Sequence, residues 1–441
     1  MAEAVVYPAA QDAGFLERAL KRARWRLLPL LSLGYIAAYI DRVNISFAQE
    51  PMSRALGLTA ETYGLGAGLF FLTYAACEIP SNALLLRFGA RRWLARIMLT
   101  WGVMAMAMAT VHTPSSFYTM RMLLGVAEAG YFPGVIFYLS LWFPARERAR
   151  VNSLFYMALP LTNVVMGGAA GALLRLNGRL HLAGWQWLFL VEGMPAVLIS
   201  GAMWWLLPDG PGDASWMPAD ERAALVAAMN AEHDAVDGHG AGGWRLAVAS
   251  PKIWWLGLFY FFMLGSFYGL SFSLPVMLKG ATGWAIGEVG TLVVLIGVAG
   301  AVAMVANGVH SDARAERRWH IVIPVLLMGA AMLVAGALGL RGWTAAIALC
   351  AAMVIYSSFQ GPLLTIPTSL FSGEACAVGI ATMNMCGIVG GFVFPYFMGW
   401  MRVRTGGYAW GVALLAIASV ASAGIMLRLL GPAGEPAGAV S

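Results

Sequence analysis

Residues 27–48 read LLPLLSLGYIAAYIDRVNISFA, and residues 117–143 read FYTMRMLLGVAEAGYFPGVIFYLSLWF. Each run is long and apolar enough to cross a bilayer, since about 20 such residues span the roughly 30 Å of hydrocarbon. Each also holds charges that hydrocarbon excludes: Asp41 and Arg42 in the first, Arg121 and Glu128 in the second. A charge at the centre of a membrane helix costs roughly 2.5–3.5 kcal/mol on insertion scales, so two acids and two arginines there need a purpose. Moving ions and anions across the membrane is the purpose that fits.

The rest of the chain agrees with a membrane reading. Of 441 residues, 60% are hydrophobic and only 11% charged, with a mean hydropathy of +0.72. So much apolar surface would aggregate in water. The sequence pI near 9.2 does not indicate nucleic acid, because Lys and Arg lie in short segments between apolar runs instead of along one face. Twelve spans are expected, at 25–49, 62–86, 91–111, 115–141, 149–174, 185–207, 252–278, 286–308, 319–340, 343–371, 375–401 and 408–430. Their length and lack of period-2 alternation favour helices over a β-barrel.

A polar stretch between spans six and seven divides the chain. The expected organisation is an N-terminal segment 1–24, a six-helix bundle 25–207, a linker 208–251, a second six-helix bundle 252–430 and a tail 431–441. Within the linker, ADERAALVAAMNAE (219–232) reads as a surface helix. The basic stretch FLERALKRARWR (15–26) reads either as a short helix on the lipid surface or as a solvated tail. Lys and Arg concentrate on the side that holds both termini, which the positive-inside rule makes cytoplasmic, with the inner membrane as the location. NALLLRFGARR (82–92) and NGVHSDARAERR (307–318) occupy equivalent places in the two halves. Such a parallel repeat marks transporters built from two six-helix bundles, so the expected class is an all-α membrane protein with twelve transmembrane helices.

Arg121 and Glu128 lie seven residues apart, two helical turns or about 10 Å, on nearly one face, and so are expected to serve one cavity. Asp41 and Arg42 are adjacent and diverge by about 100°, so one faces the cavity and the other a helix partner. Burial favours a neutral carboxylic acid and a nearby guanidinium favours the carboxylate, a balance that a mobile anion would tip. Arginine offers a planar fork of donors suited to a carboxylate cargo. Buried ion pairs that merely fix helix packing are the alternative, although such pairs seldom contribute net stability. Tyr74 and Tyr268 are candidate hydroxyl contacts, Asn384 a candidate amide contact, and Asn163 and Ser271 further polar lining. Glu78 and Glu192 read as structural pairing or capping. The glycine patches at 64, 167 and 387 allow helices to approach closely.

No phosphate-binding loop and no HExxH motif is present, the histidines show no ligand spacing, and Cys77, Cys350, Cys376 and Cys386 are scattered. No cofactor, metal or catalytic residue is expected.

The segments DRVNIS, RFGARR, RMLLGVAEAGYFPG and GWQWLFLVEGMPAVL together resemble the anion:cation symporter family of the major facilitator superfamily, across all twelve spans. That resemblance implies proton-driven symport of an organic anion such as a tartrate, phthalate or sugar acid, with protons and the bilayer as further partners and a monomeric form. By position it makes Asp41 and Glu128 the proton-coupling acids, Arg42 and Arg121 the anion-binding or gating arginines, and Tyr74 and Asn384 substrate contacts. Arg87, Arg91 and Asp312 fall in the gating loops. There Asn82 and Leu86 replace the family's glycine and aspartate, which puts the usual charge-relay latch in question, and Leu364 and Glu374 also depart from the pattern. The competing reading is an exporter or antiporter on the same fold. A transporter-like sensor is less favoured, for want of an output domain.

Overall fold

The computed structural model describes residues 10–156, 158–237, 249–314, 316–366 and 373–430, and every regular element among them is a helix. The first half contains α1 (Ala10–Leu56), α2 (Ala60–Phe88), α3 (Ala90–Ala107), α4 (Pro114–Glu128), α5 (Tyr131–Ser140), α6 (Ala145–Tyr156), α7 (Ala158–Leu174) and α8 (Gly184–Leu206). Helix α9 (Ala219–Asp237) lies in the connecting segment, at the place expected of a surface helix. The second half contains α10 (Pro251–Thr282), α11 (Ile286–Ala313), α12 (Arg318–Ala337), α13 (Gly342–Ser358), α14 (Gln360–Leu364), α15 (Gly373–Thr405) and α16 (Ala409–Leu429). Residues 1–9, the tail 431–441 and the side chains of Leu364, Glu374 and Cys376 lie outside the described residues.

Among the described residues, eleven stretches are long and apolar enough to cross a bilayer, and the remaining expected span, 25–49, lies within the 47-residue α1. Leu198, Trp205, Val302, Ile347 and Ile417 stand exposed on these helices, surface that a hydrocarbon solvent covers without cost. Each half encloses its own apolar core.

One expectation changes. The basic stretch 15–26 is neither a separate lipid-surface helix nor a solvated tail: it is the first part of α1 and buries Leu16, Ala19, Leu20 and Ala23. Arg22 Nε donates to Glu221 of α9 at 2.8 Å, and Arg24 donates to Glu147 of α6 at 2.9 Å, so charge pairing fastens this segment to the protein. Burying that small-residue stripe against protein outweighs its amphipathic preference for a lipid surface.

Span four, expected at 115–141, is one apolar stretch over Pro114–Ser140, but its helix is interrupted. It breaks directly after Glu128, where Ala129 turns extended (ψ 131°) and Gly130 takes a left-handed φ of 87°. Pro133 explains the break, because it has no N–H to offer the carbonyl four residues back and its ring crowds that position. Gly130 supplies the conformation that an L side chain resists. A Cβ there would also strike Ser81, approaching its Cβ to 2.8 Å. Gly130→Ala is therefore expected to cost about 1–3 kcal/mol, readable as a lowered Tm of the purified protein. An unchanged Tm would show that the break does not depend on glycine.

The halves meet most closely at the end of the molecule that holds Glu50. Lys279 of α10 pairs with Glu50 of α1, Gln49 donates to the Tyr408 hydroxyl at 2.9 Å, and the Tyr396 hydroxyl lies 3.3 Å from Glu61. Between α7 and α11 the backbones touch: a Cβ on Gly167 would lie 2.5 Å from the Gly290 carbonyl oxygen, and one on Gly171 2.7 Å from Gly287 Cα. This end is sealed.

Candidate functional site

A cavity of about 90 Å³ lies between the halves. Its walls run from Val43 and Phe71 toward Tyr35, Met304 and Gln360, away from the sealed Glu50 end. Aromatic side chains make up half of the lining residues, with Arg42, Asn163, Asn384 and Gln360 among the polar groups. A mostly apolar wall with a few convergent polar groups is the usual form of a small-molecule site.

Arg42 organises this chamber. Its side chain is 11% exposed, and its Nε donates to Glu128 Oε1 at 2.9 Å while Nη2 bonds the same oxygen. From the other half, the Tyr268 hydroxyl accepts from Arg42 Nη1 at 3.3 Å. The guanidinium also lies 5.1 Å from the ring centroids of Tyr39 and Tyr74 and 5.5 Å from that of Phe70, within the range of cation–π attraction. Glu128 is fully buried, and its Oε2 has no hydrogen-bond partner. One guanidinium thus joins a buried carboxylate of the first half, a tyrosine of the second and the open chamber.

Of the residues expected at the site, Arg42, Tyr74, Tyr268 and Asn384 line the cavity. Glu128 reaches it through Arg42. Asp41 and Arg121 do not line it. Arg121 is 1% exposed and donates to the carbonyls of Gly66 and Ala67 on α2, at 3.4 and 3.1 Å, so the Arg121–Glu128 face serves the interior of the first half as much as the chamber. Asp41 points into the same bundle, consistent with the divergence expected of neighbours on a helix. Asn163 lines the chamber, and Ser271 lines a smaller adjoining cavity with Val43 and Asn163.

Glu78 pairs across the two halves. It accepts from Asn384 Nδ2 at 3.2 Å, a contact between α2 and α15 at the cavity wall. The sequence reading also passed over Tyr35 and Tyr39, although their i, i+4 spacing with Arg42 at i+7 places all three on one face of α1. Tyr156, Tyr260 and Tyr356 come from three other helices, and nothing local in the sequence marks them.

In the loops, Arg91 pairs with Asp209 at 3.4 Å, joining the start of α3 to the exit of α8 within one half. Asp312 pairs with Arg317 within the other half. Arg87 lies over the Phe88 ring. The histidines do meet, contrary to their sequence spacing: His310 Nδ1 and His320 Nε2 are 2.6 Å apart, and His320 Nδ1 is 2.6 Å from Glu316. The turn from α11 to α12 brings them together. Burial pushes the Glu316 carboxyl up, but the Trp319 N–H and His320 outweigh it and hold the group below the ordinary glutamate range. No metal-holding group of three such side chains occurs among the described residues.

The sequence profile of the Major Facilitator Superfamily matches residues 31–395. Over 425 residues the chain is 42% identical to an Agrobacterium vitis protein provisionally named a tartrate transporter, covering 96% of this chain and 97% of that one. It is 34% identical over 403 residues to the quinolone resistance transporter of Acinetobacter baumannii, covering 91% and 93%. Among solved structures, the Escherichia coli xylose transporter XylE in a partially occluded inward-open conformation superposes with a TM-score of 0.76 over 93% of this chain and 98% of that one. At 15% identity that likeness is one of fold.

Proposed function

We propose a function for this chain, which belongs to the Major Facilitator Superfamily: it takes up a small organic anion together with protons, by alternating access. The chain is a multi-pass membrane transporter and not an enzyme. The anion and the proton are our reading, and the observation that supports them most is Arg42 held by Glu128 at the cavity edge. A carboxylate cargo and the Glu128 carboxylate compete for the same N–H groups. A proton on Glu128 weakens its hold and frees the guanidinium for the cargo, so loading one favours loading the other. Asp41 is proposed as the second coupling acid, Arg121 as the group that sets its charge, and Tyr74, Tyr268 and Asn384 as contacts to the cargo.

The Glu50 end is assigned to the outside and the Arg87 end, with both termini, to the cytoplasm, because Lys and Arg crowd the latter. The location is the inner membrane and the expected form a monomer. The loop pairs Arg91–Asp209 and Asp312–Arg317, together with Arg87, are proposed to brace each half as it rocks.

Uptake into proteoliposomes tests this reading. If one proton accompanies each cargo without net charge, a two-unit pH gradient sustains roughly 100-fold accumulation, since each unit is worth about 1.4 kcal/mol. Tartrate and sugar acids are the first cargoes to offer. Glu128→Gln is expected to remove that accumulation while leaving exchange of cargo across the membrane. Accumulation that survives both this substitution and collapse of the gradient would refute the coupling.

The relative named for quinolone resistance, with the aromatic chamber, favours a second reading, export of an aromatic acid. Outward movement from preloaded vesicles, driven by the opposite gradient, would select it.

A further inference from the structure

Glu192 of α8 is the acid that the chamber leaves over. Three acids, Asp41, Glu128 and Glu192, are buried in the interior of the first half, with Arg121 buried and Arg42 nearly so. Arg42 is committed to Glu128. Arg121 is committed to the Gly66 and Ala67 carbonyls and is the cation that acts most strongly on Asp41. The groups acting on Glu192 are the Asn44 amide and the Asp41 carboxylate, neither of them a cation. Glu192, Asp41, Asn44 and Trp101 are 7%, 2%, 0% and 1% exposed. Even so, both oxygens of each acid, both amide atoms of Asn44 and Trp101 Nε1 have no aligned hydrogen-bond partner.

A buried carboxylate with no cation beside it and no aligned hydrogen bond is among the most unfavourable arrangements a bundle can hold, and such a group neutralises instead. Asn44 follows Asp41 by three residues on α1, so the two share a face. Its amide lies beside both Asp41 and Glu192. Trp101 of α3 and Arg121 of α4 flank Asp41, and the Glu128 carboxylate repels it. A single proton gives each of these orphaned groups a role. With that proton on Glu192, its O–H would donate to Asn44 Oδ1, and Asn44 Nδ2–H and Trp101 Nε1–H would donate to Asp41, ionised against Arg121 in this state.

We propose that Asp41, Asn44 and Glu192 form a second proton-binding site, separate from the Arg42–Glu128 pair, with the proton resident on Glu192. The proposal goes beyond the coupling acids named above and does not depend on what cargo is carried.

Infrared spectroscopy of the purified full chain in liposomes at neutral pH tests it, through the C=O stretch of a neutral carboxylic acid. The Glu128→Gln background removes any contribution from that acid. There, a neutral-acid band is expected that shifts on exchange into deuterium oxide and disappears on adding Glu192→Gln. Asn44→Leu, which keeps Glu192, is expected to shift the same band, and so serves if the glutamine variant folds poorly. A band untouched by Glu192→Gln, unmoved by Asn44→Leu, or absent from the background protein would overturn the site. Because the readout needs no transport, uncoupled uptake would refute the symport reading and leave this result standing, and the converse also holds.

Discussion

Arg42→Gln is expected to abolish uptake and to cost the folded protein about 3–5 kcal/mol, because removing one partner of a buried ion pair leaves the other charge stranded. The stranded charge is Glu128, which is fully buried and has Arg42 as its hydrogen-bond partner on Oε1 and none on Oε2. Stability loss alone would say nothing about transport, so the informative variant is the double one. Arg42→Gln with Glu128→Gln leaves no charge to strand and is expected to recover most of the lost Tm while uptake stays at background. Arg42→Lys separates charge from geometry. A lysine is a compact point charge and cannot hold Glu128 and Tyr268 with a planar fork. Losing about 3 kcal/mol of oriented, charge-assisted bonding to the cargo corresponds to roughly 100-fold weaker binding. Thermal unfolding and uptake on the same preparations decide the matter. Uptake restored in the double variant would mean that Arg42 serves packing alone.

The same residues show how far a sequence can be read. The four intramembrane charges were legible because hydrocarbon makes any charge informative, and the 100° divergence of Asp41 from Arg42 follows from helix geometry alone. Which of the two would face the chamber was not legible, because that depends on how α1 is rotated against its neighbours. Arg121 illustrates the limit more sharply. Its spacing from Glu128 follows from helix geometry, yet Arg121 meets the backbone of α2 at Gly66 and Ala67, a partner set by tertiary packing. The break after Glu128 was within reach, since Gly130 and Pro133 stand three residues apart in the middle of an apolar run. Of the chamber tyrosines, Tyr74 and Tyr268 are named by the sequence and Tyr35 and Tyr39 lie within its reach, whereas Tyr156, Tyr260 and Tyr356 stand on three helices with no local signal beside them. Glu192 shows the reverse case: a plausible structural partner was expected for it, and only the packed structure reveals that no cation is left.

Tightening the contact between α7 and α11 is expected to disable transport without touching the chamber. A Cβ on Gly167 would sit 2.5 Å from the Gly290 carbonyl oxygen, and one on Gly290 would meet the Gly167 carbonyl oxygen closer still. These are backbone atoms on both sides and have no rotamer to yield, so an added methyl must push the helices apart. Overpacking of this kind costs about 1–3 kcal/mol, and under the proposed alternating access, which parts this contact when the Glu50 end opens, the cost falls on the sealed state alone. Each alanine should then depopulate that state by a factor of about 5 to 150. Gly168→Ala is the matched control: it lies one residue away in the same helix, nothing stands within 4 Å of its Cβ, and helix propensity favours alanine there by about 1 kcal/mol. Gly167→Ala and Gly290→Ala are thus expected to slow uptake, and their combination to stop it, while Gly168→Ala leaves it intact or faster. Spin labels on the ends of α7 and α11 nearest Glu50 should report longer separations in the first two variants and an unchanged one in the control. Equal behaviour of Gly167→Ala and Gly168→Ala would show that the glycine contact is incidental, and the alternating seal would have to be sought between α2 and α15.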